Sequence, residues 1–203
     1  SLPAHLARRL AEEAAAPLCV AYSGGPDSSA LLHALSGLPL ARAHGLRALH
    51  IDHGLHADSA DWARHCLAQC RAWEVPCEVV RVDVRRGDGQ GLEAAARAAR
   101  YAAFAESLSA GERLLLAHHR DDQVETVLLK LLRGAGPLGL GGMRADRPLG
   151  RGRLWRPLLE LPRTSLAAYV AERGLACIDD PSNADTRLAR NQLRHQILPR
   201  LLE

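Results

Sequence analysis

The chain has 203 residues, a net charge of +3 at pH 7 and 47% hydrophobic residues, which suits one well-buried domain with room for a small appendage. No apolar run is long enough to span a bilayer, no basic-then-apolar leader opens the chain, and the five cysteines (Cys19, Cys66, Cys70, Cys77 and Cys177) form no C-x-x-C pair. A membrane span, an export signal, a disulfide framework and a zinc ribbon are therefore not expected, and a cytoplasmic protein is.

In chain order, residues 2–16 read as an entry helix with Leu2, Leu6 and Leu10 on one face and Pro17 as its stop. Residues 18–22 read as a buried strand, followed by a Gly-Gly-Pro break and a helix through Ala30, Leu31, Leu32, Ala34 and Leu35. A second strand is expected over residues 45–52, a helix over 58–73 and a third strand over 78–84. A polar connection, 85–91, leads to an alanine-rich helix at 92–108. A fourth strand at 114–116 precedes a helix at 121–132. The glycine-rich segment 133–142 is expected to be mobile. A last strand at 154–158, a helix at 162–172, a turn-rich loop at 179–185 and a terminal helix at 187–202 complete the chain. This alternation predicts an α/β fold: a doubly wound, mostly parallel sheet with a C-terminal helical extension. Ligands in such sheets bind beyond the carboxyl ends of the strands. The chemically loaded segments do follow strands: 23–28 the first, 52–56 the second and 118–122 the fourth.

The sequence Ser23-Gly24-Gly25-Pro26-Asp27-Ser28 joins a strand to a helix start. Two glycines let the backbone approach an anion closely, the helix N-terminus offers unpaired N–H groups, and Pro26 suits a first helical turn. No lysine follows the glycines and no third glycine is spaced for a dinucleotide fingerprint, so neither common phosphate loop fits. An ordinary capped turn is the plainer alternative.

Asp121, Asp122 and Glu125 lie three and four residues apart, on one helical face, just after His118 and His119. Acidic residues in a first turn are also favoured by the helix dipole alone. As a site, the cluster suits a cation, either Mg²⁺ or the ammonium of an amine substrate. Zinc held by His118, His119 and Asp122, or by His50, His53 and His56, is not expected from the spacing. Arg97 and Arg100 are one turn apart on the alanine-rich helix, placed to hold a phosphate or an RNA backbone, while Glu93 and Arg97 make an ordinary i,i+4 pair. Nearly all the positive charge is arginine, with Lys130 the only lysine. Arginine suits bidentate phosphate contacts, but +3 is too modest to argue nucleic-acid binding by itself.

The loop at 23–28 resembles the pyrophosphate loop of the ATP pyrophosphatases. Together with Gly91-Leu92-Glu93-Ala94-Ala95-Ala96-Arg97, Ala117-His118-His119-Arg120-Asp121-Asp122-Gln123, the segment 133–140, Arg156-Pro157-Leu158-Leu159, and the tail blocks at 179–183 and 190–194, it resembles the tRNA(Ile)-lysidine synthetase family, in the family's order and over nearly the whole chain. The resemblance implies an adenine nucleotide alpha hydrolase-like fold. It also implies a carbon–nitrogen ligase that uses ATP to adenylate the wobble cytidine of a CAU anticodon, after which free lysine displaces AMP to give lysidine.

In that reading Ser23, Gly24, Gly25, Pro26, Asp27 and Ser28 bind ATP, with Asp27 helping to hold Mg²⁺, and His50, Ile51 and Asp52 lie near the adenosine. Arg97, His118, Asp121, Asp122 and Glu125 are catalytic: the carboxylates receive lysine or metal, Arg97 neutralises growing phosphate charge, and His118 or a carboxylate is the base. Arg100, Arg133, Arg190, Asn191 and Arg194 contact tRNA, and residues 134–142 close over the anticodon. Residues 1–150 form the nucleotide-binding catalytic part and 151–203 its C-terminal part. The partners implied are tRNA(Ile) with a CAU anticodon and free L-lysine, with no membrane, and a homodimer is admitted. Family members often carry further C-terminal domains, so the chain reads as a fragment or a short form. A tRNA thiolase on the same scaffold would normally carry cysteine pairs, which are missing here. A non-catalytic ATP-binding module would leave the carboxylates and paired arginines without a use.

Overall fold

A computed structural model describes residues 1–84, 91–136, 139–181 and 189–201. The chain runs α1 (Leu2–Ala11), β1 (Leu18–Ala21), α2 (Pro26–Ser36), α3 (Pro39–Ala43), β2 (Arg47–Asp52), α4 (Ser59–Ala72), β3 (Cys77–Arg81), α5 (Leu92–Ser107) and β4 (Arg113–Leu115). It continues through α6 (Arg120–Leu132), β5 (Asp146–Leu149), β6 (Gly152–Trp155), α7 (Arg163–Arg173), α8 (Ala189–Gln192), a π-helical turn (Leu193–Ile197) and α9 (Leu198–Leu201).

The six strands form one sheet in the order β3-β2-β1-β4-β6-β5. All neighbours are parallel except the β5–β6 hairpin. The expected doubly wound, mostly parallel sheet is what the chain forms. Connections run from β1 outward to β3, then return across β1 to β4, so the direction of winding reverses between β1 and β4. That reversal opens a crevice at their carboxyl ends, where ligands bind in sheets of this kind.

Burial explains the layers. One face of the sheet packs Val20 and Ala48 against Leu6, Leu31, Leu35, Cys66 and Leu166 of α1, α2, α4 and α7. The other packs Cys19, Leu49, Ile51 and Leu114 against Ala103 and Phe104 of α5. Strands covered on both faces lose the polar alternation of half-exposed ones and read as apolar runs, as β1 and β4 do.

Several boundaries differ from expectation. Helix α1 stops at Ala11 rather than running to residue 16. Leu10 is its last buried anchor, and propensity of Ala14, Ala15 and Ala16 without a face to bury does not extend it. The last strand is Gly152–Trp155, not 154–158, because Pro157 has no N–H to continue a ladder. Strand β5 was not expected at all: Asp-Arg-Pro-Leu carries no apolar alternation, yet Pro148 is tolerated on a sheet edge. The short α3 was likewise unanticipated. The terminal helix is described over 189–201 and is interrupted by the π-helical turn. The connection expected at 85–91 and the loop at 179–185 fall largely outside the described residues, as do Pro137 and Leu138.

Candidate active site

The first wall of the crevice is the turn between β1 and α2. Gly24 adopts φ +81°, a left-handed backbone in which a side chain is strained, and a Cβ there would also run into Ile178. Gly25 caps α2, and Pro26 occupies its first turn. The turn is tied internally. Ser28 Oγ donates to Gly25 O (3.1 Å), Ser23 N donates to Ser28 Oγ (3.3 Å), and the Ser23 and Ser28 hydroxyls are 3.0 Å apart. From outside, Ile178 N donates to Gly24 O at 2.9 Å. Fixing the carbonyls inward leaves the N–H groups at the start of an eleven-residue helix for an anion. Ser23 is exposed at the mouth, and Ser28 is buried beneath it.

The second wall follows β4. His119 N-caps α6, and its backbone N–H donates to Asp122 Oδ2 at 3.0 Å. The His119 ring is only 1% exposed and lies among three carboxylates: Nε2 is 3.6 Å from Asp27 Oδ2 and 3.5 Å from Asp122 Oδ2, and Nδ1 is 3.6 Å from Asp121 Oδ2. Burial pushes the imidazole down, but Asp27, Asp122 and Asp121 together outweigh it and hold its pKa above the ordinary value. Nδ1 is buried without a hydrogen-bond partner among the described residues. Burial raises the Asp122 carboxyl, although His119 and Arg190 oppose it. The site thus joins the two walls through one histidine and an aspartate from each side.

His118 points elsewhere. Its Nδ1 accepts a hydrogen bond from Arg156 Nε at 3.1 Å. Burial, followed by Arg156, Arg190, Arg97 and Arg100, pushes its pKa down to about 3. A ring so held is neutral and its Nδ1 lone pair is turned to Arg156. His119, absent from the expected catalytic set, is the histidine that touches the loop. Its signal was its place at the start of the helix that carries Asp121, Asp122 and Glu125.

Glu125 is 1% exposed and carries two arginines. Arg190 Nε donates to Oε2 at 2.8 Å, and Arg194 donates through Nε to Oε1 at 2.6 Å and through Nη2 to Oε2 at 3.0 Å. Arg194 also reaches Asp122 Oδ1 at 3.5 Å. Arg190 and Arg194, expected to face RNA, are instead turned onto buried carboxylates, and Asn191 is 8% exposed. The reason is electrostatic: a carboxylate that deep requires a counter-charge. With Glu125 occupied in this way, the carboxylates gathered around His119 are Asp27, Asp121 and Asp122.

The remaining expected residues are dispersed around this centre. His50 is buried and donates Nδ1–H to Tyr22 O at 2.9 Å, and burial lowers its pKa despite that bond. The Ile51 side chain is in the core, so only its backbone is available to a ligand. Asp52 accepts from Gly54 N at 2.8 Å. Arg97 is exposed and stacks 4.9 Å from the Tyr101 ring centre, and Arg100 lies one turn further on. Arg133 is exposed just past α6. The segment after α6, expected to be mobile, is pinned at its far end. Gln123 Nε2 donates to Met143 O (2.9 Å) and its Oε1 accepts from Met143 N (2.5 Å), while Lys130 donates to Gly141 O (2.5 Å). Gly142 lies so close to Gln123 that a Cβ would be 2.7 Å from its amide oxygen.

Comparison with known proteins bears on this geometry. The PP-loop domain family matches residues 2–201. The tRNA(Ile)-lysidine synthase of Xanthomonas campestris pv. campestris is 59% identical over 186 residues, 92% of this chain and 43% of that protein. That of Alkalilimnicola ehrlichii is 57% identical over 202 residues, 99% of this chain and 45% of that protein. The chain therefore spans less than half the length of the curated relatives it matches. Among solved structures, the U34-tRNA thiolase NcsA from Methanococcus maripaludis with its [4Fe-4S] cluster superposes with a TM-score of 0.68 at 14% identity, covering 99% of this chain and 77% of that one. At that identity the likeness is one of fold.

Proposed function

Because this chain belongs to the PP-loop domain family, we propose that it is the catalytic part of a tRNA(Ile)-lysidine synthase. It uses ATP to adenylate the wobble cytidine of a CAU anticodon and then directs free lysine onto the activated base. The observation that carries the reading is the meeting of the two walls: His119, at the start of the carboxylate-bearing helix, lies 3.6 Å from Asp27 of the amide-lined turn. Similarity to lysidine synthases at 57–59% identity over more than nine-tenths of the chain supports the substrate assignment.

In this reading the N–H groups of the turn that are not bonded within it, and the Ser23 hydroxyl, hold the triphosphate, and Arg97 offsets charge that grows on the phosphate as the cytidine oxygen attacks and pyrophosphate leaves. Asp121 and Asp122 receive the lysine ammonium. An aspartate, not His118, accepts the proton the amine must lose before it attacks carbon 2 and AMP departs. Among the described residues no three His, Cys, Asp or Glu side chains are placed to hold a metal ion by themselves, so a Mg²⁺ here would arrive with the triphosphate and meet Asp27, screening phosphate charge. The segment 139–143, tied to Gln123 next to Asp122, is placed to exclude water that hydrolyses the adenylate.

The test is incubation of the chain with ATP, labelled lysine and either tRNA(Ile) bearing CAU or tRNA(Met). Label on the first and not on the second is expected. Label on neither, with ATP consumed, would contradict the assignment.

A further inference from the structure

Arginines among the described residues divide into those that face a carboxylate within 4 Å, such as Arg47, Arg113, Arg190 and Arg194, and those that do not. Arg97, Arg100, Arg147 and Arg156 are of the second kind and stand out because they gather in one place. None has a carboxylate of the described residues at ion-pair distance, yet they converge. Tyr101 on α5 organises them. The Arg97 guanidinium lies 4.9 Å from its ring centre and the Arg147 guanidinium, from β5, 5.3 Å away. Arg97 Nη2 also approaches the Tyr101 hydroxyl at 3.4 Å. Arg156, just after β6, is 5% exposed and is fixed by donating to Arg144 O (2.7 Å) and His118 (3.1 Å). Burial and then the neighbouring arginines lower the pKa of Arg100 and, against the pull of Tyr101, that of Arg156. Like charges gathered without counter-ions repel, and an anion set among them would relieve the cost.

Which anion follows from position. His119 faces Asp27 and the phosphate-binding turn, while its neighbour His118 faces Arg156. Helix α5 covers the opposite side of the sheet from α2. Arg100, Arg147 and Arg156 therefore lie across the histidines from the nucleotide's turn, spread over a helix and a hairpin. A strand of nucleic acid offers several phosphates in succession, and arginines are common partners of such phosphates. We propose that Arg100, Arg147 and Arg156, with Arg97 at the border, form a phosphodiester site that grips the RNA strand carrying the nucleotide to be modified. The site rests on the RNA-modifying reading above and gives the β5–β6 hairpin a part in it. Cation–π contact with Tyr101 holds the guanidinium groups in place before RNA arrives.

The test uses Arg147→Ala and Arg147→Lys, a fluorescent CAU anticodon stem-loop and fluorescence anisotropy at several salt concentrations, with ATP affinity and melting temperature measured in parallel. Arg147→Ala is expected to weaken RNA binding about five- to tenfold and to flatten the slope of log affinity against log salt by roughly 0.7–0.9, the loss of one phosphate contact. Arg147→Lys should keep most of the slope, and ATP affinity should stay within about twofold. Should alanine lower the melting temperature, Arg147→Gln carries the same comparison. Unchanged RNA affinity and slope would overturn the site, as would a loss confined to ATP, which would assign the arginines to the nucleotide's own phosphates. The reading beneath is tested separately by lysine transfer. A wild-type chain that binds RNA through Arg147 yet transfers no lysine keeps the site and loses the reading, and one that binds no RNA loses both.

Discussion

At Gly24 a single hydrogen atom in place of a side chain decides whether the phosphate turn forms. Gly24→Ala places a Cβ at φ +81° and against Ile178, so it is expected to destabilise the fold by about 1–3 kcal/mol and to weaken ATP binding at least about tenfold. Urea unfolding and calorimetric titration check the two effects, and wild-type nucleotide affinity in the variant would contradict the account of the turn. His118 offers a second test, through pH. Its folded pKa, about 3, is below the unfolded value near 6.5, so the unfolded chain binds more protons between those limits. Its contribution to stability is present above pH 6.5 and is lost as the pH falls toward 3, with a slope of at most about 1.4 kcal/mol per pH unit. His118→Gln should flatten the acid limb of a stability–pH curve. His119 has the opposite sign: its raised pKa gives stability present below pH 6.5 and lost as the pH rises through the folded value. The sequence names both histidines but not this division, because it depends on which ring meets aspartates and which meets arginines.

Whole elements were readable where their periodicity came from burial. Strands β1 and β4 appear as apolar runs, and α5 as an alanine-rich helix, because both are packed by the sheet's two layers. Strand β5 was not, because an edge strand next to one neighbour needs little apolar surface and Pro148 hides its pairing. The terminal helical run was readable as helix, but its purpose was not. Arg190 and Arg194 look like a solvated or RNA-facing pair until Glu125, 65 and 69 residues away, is seen beneath them. Glu125→Ala would leave two guanidinium groups without their buried partner and is expected to cost about 3–5 kcal/mol, with faster hydrogen exchange over 189–201 as the local signature. Full protection of that run in the variant would contradict its anchoring role. Gln123 plays a similar part for the segment after α6. Gln123→Ala removes both bonds to Met143, for about 1–3 kcal/mol, and should raise exchange at residues 139–143 while leaving α6 protected.

For the whole molecule, topology assembles the site before any side chain does. Reversal of winding between β1 and β4 places the 23–28 turn and the start of α6 side by side, although some ninety residues separate them in the chain. That juxtaposition was inferable from strand alternation. The direction of each charged side chain was not, and the arginine group built from α5 and the β5–β6 hairpin depends on a strand pairing that the sequence does not advertise. The account requires one molecular division of labour: phosphates at the amide turn, RNA at the arginines, the amine at the aspartates between them. Its most direct measurement is exchange of labelled pyrophosphate into ATP, catalysed by the chain with CAU-bearing tRNA(Ile) and no lysine. Reversible adenylation predicts exchange that needs the RNA and is suppressed when lysine drains the adenylate. ATP binding without RNA-dependent exchange would contradict the central claim.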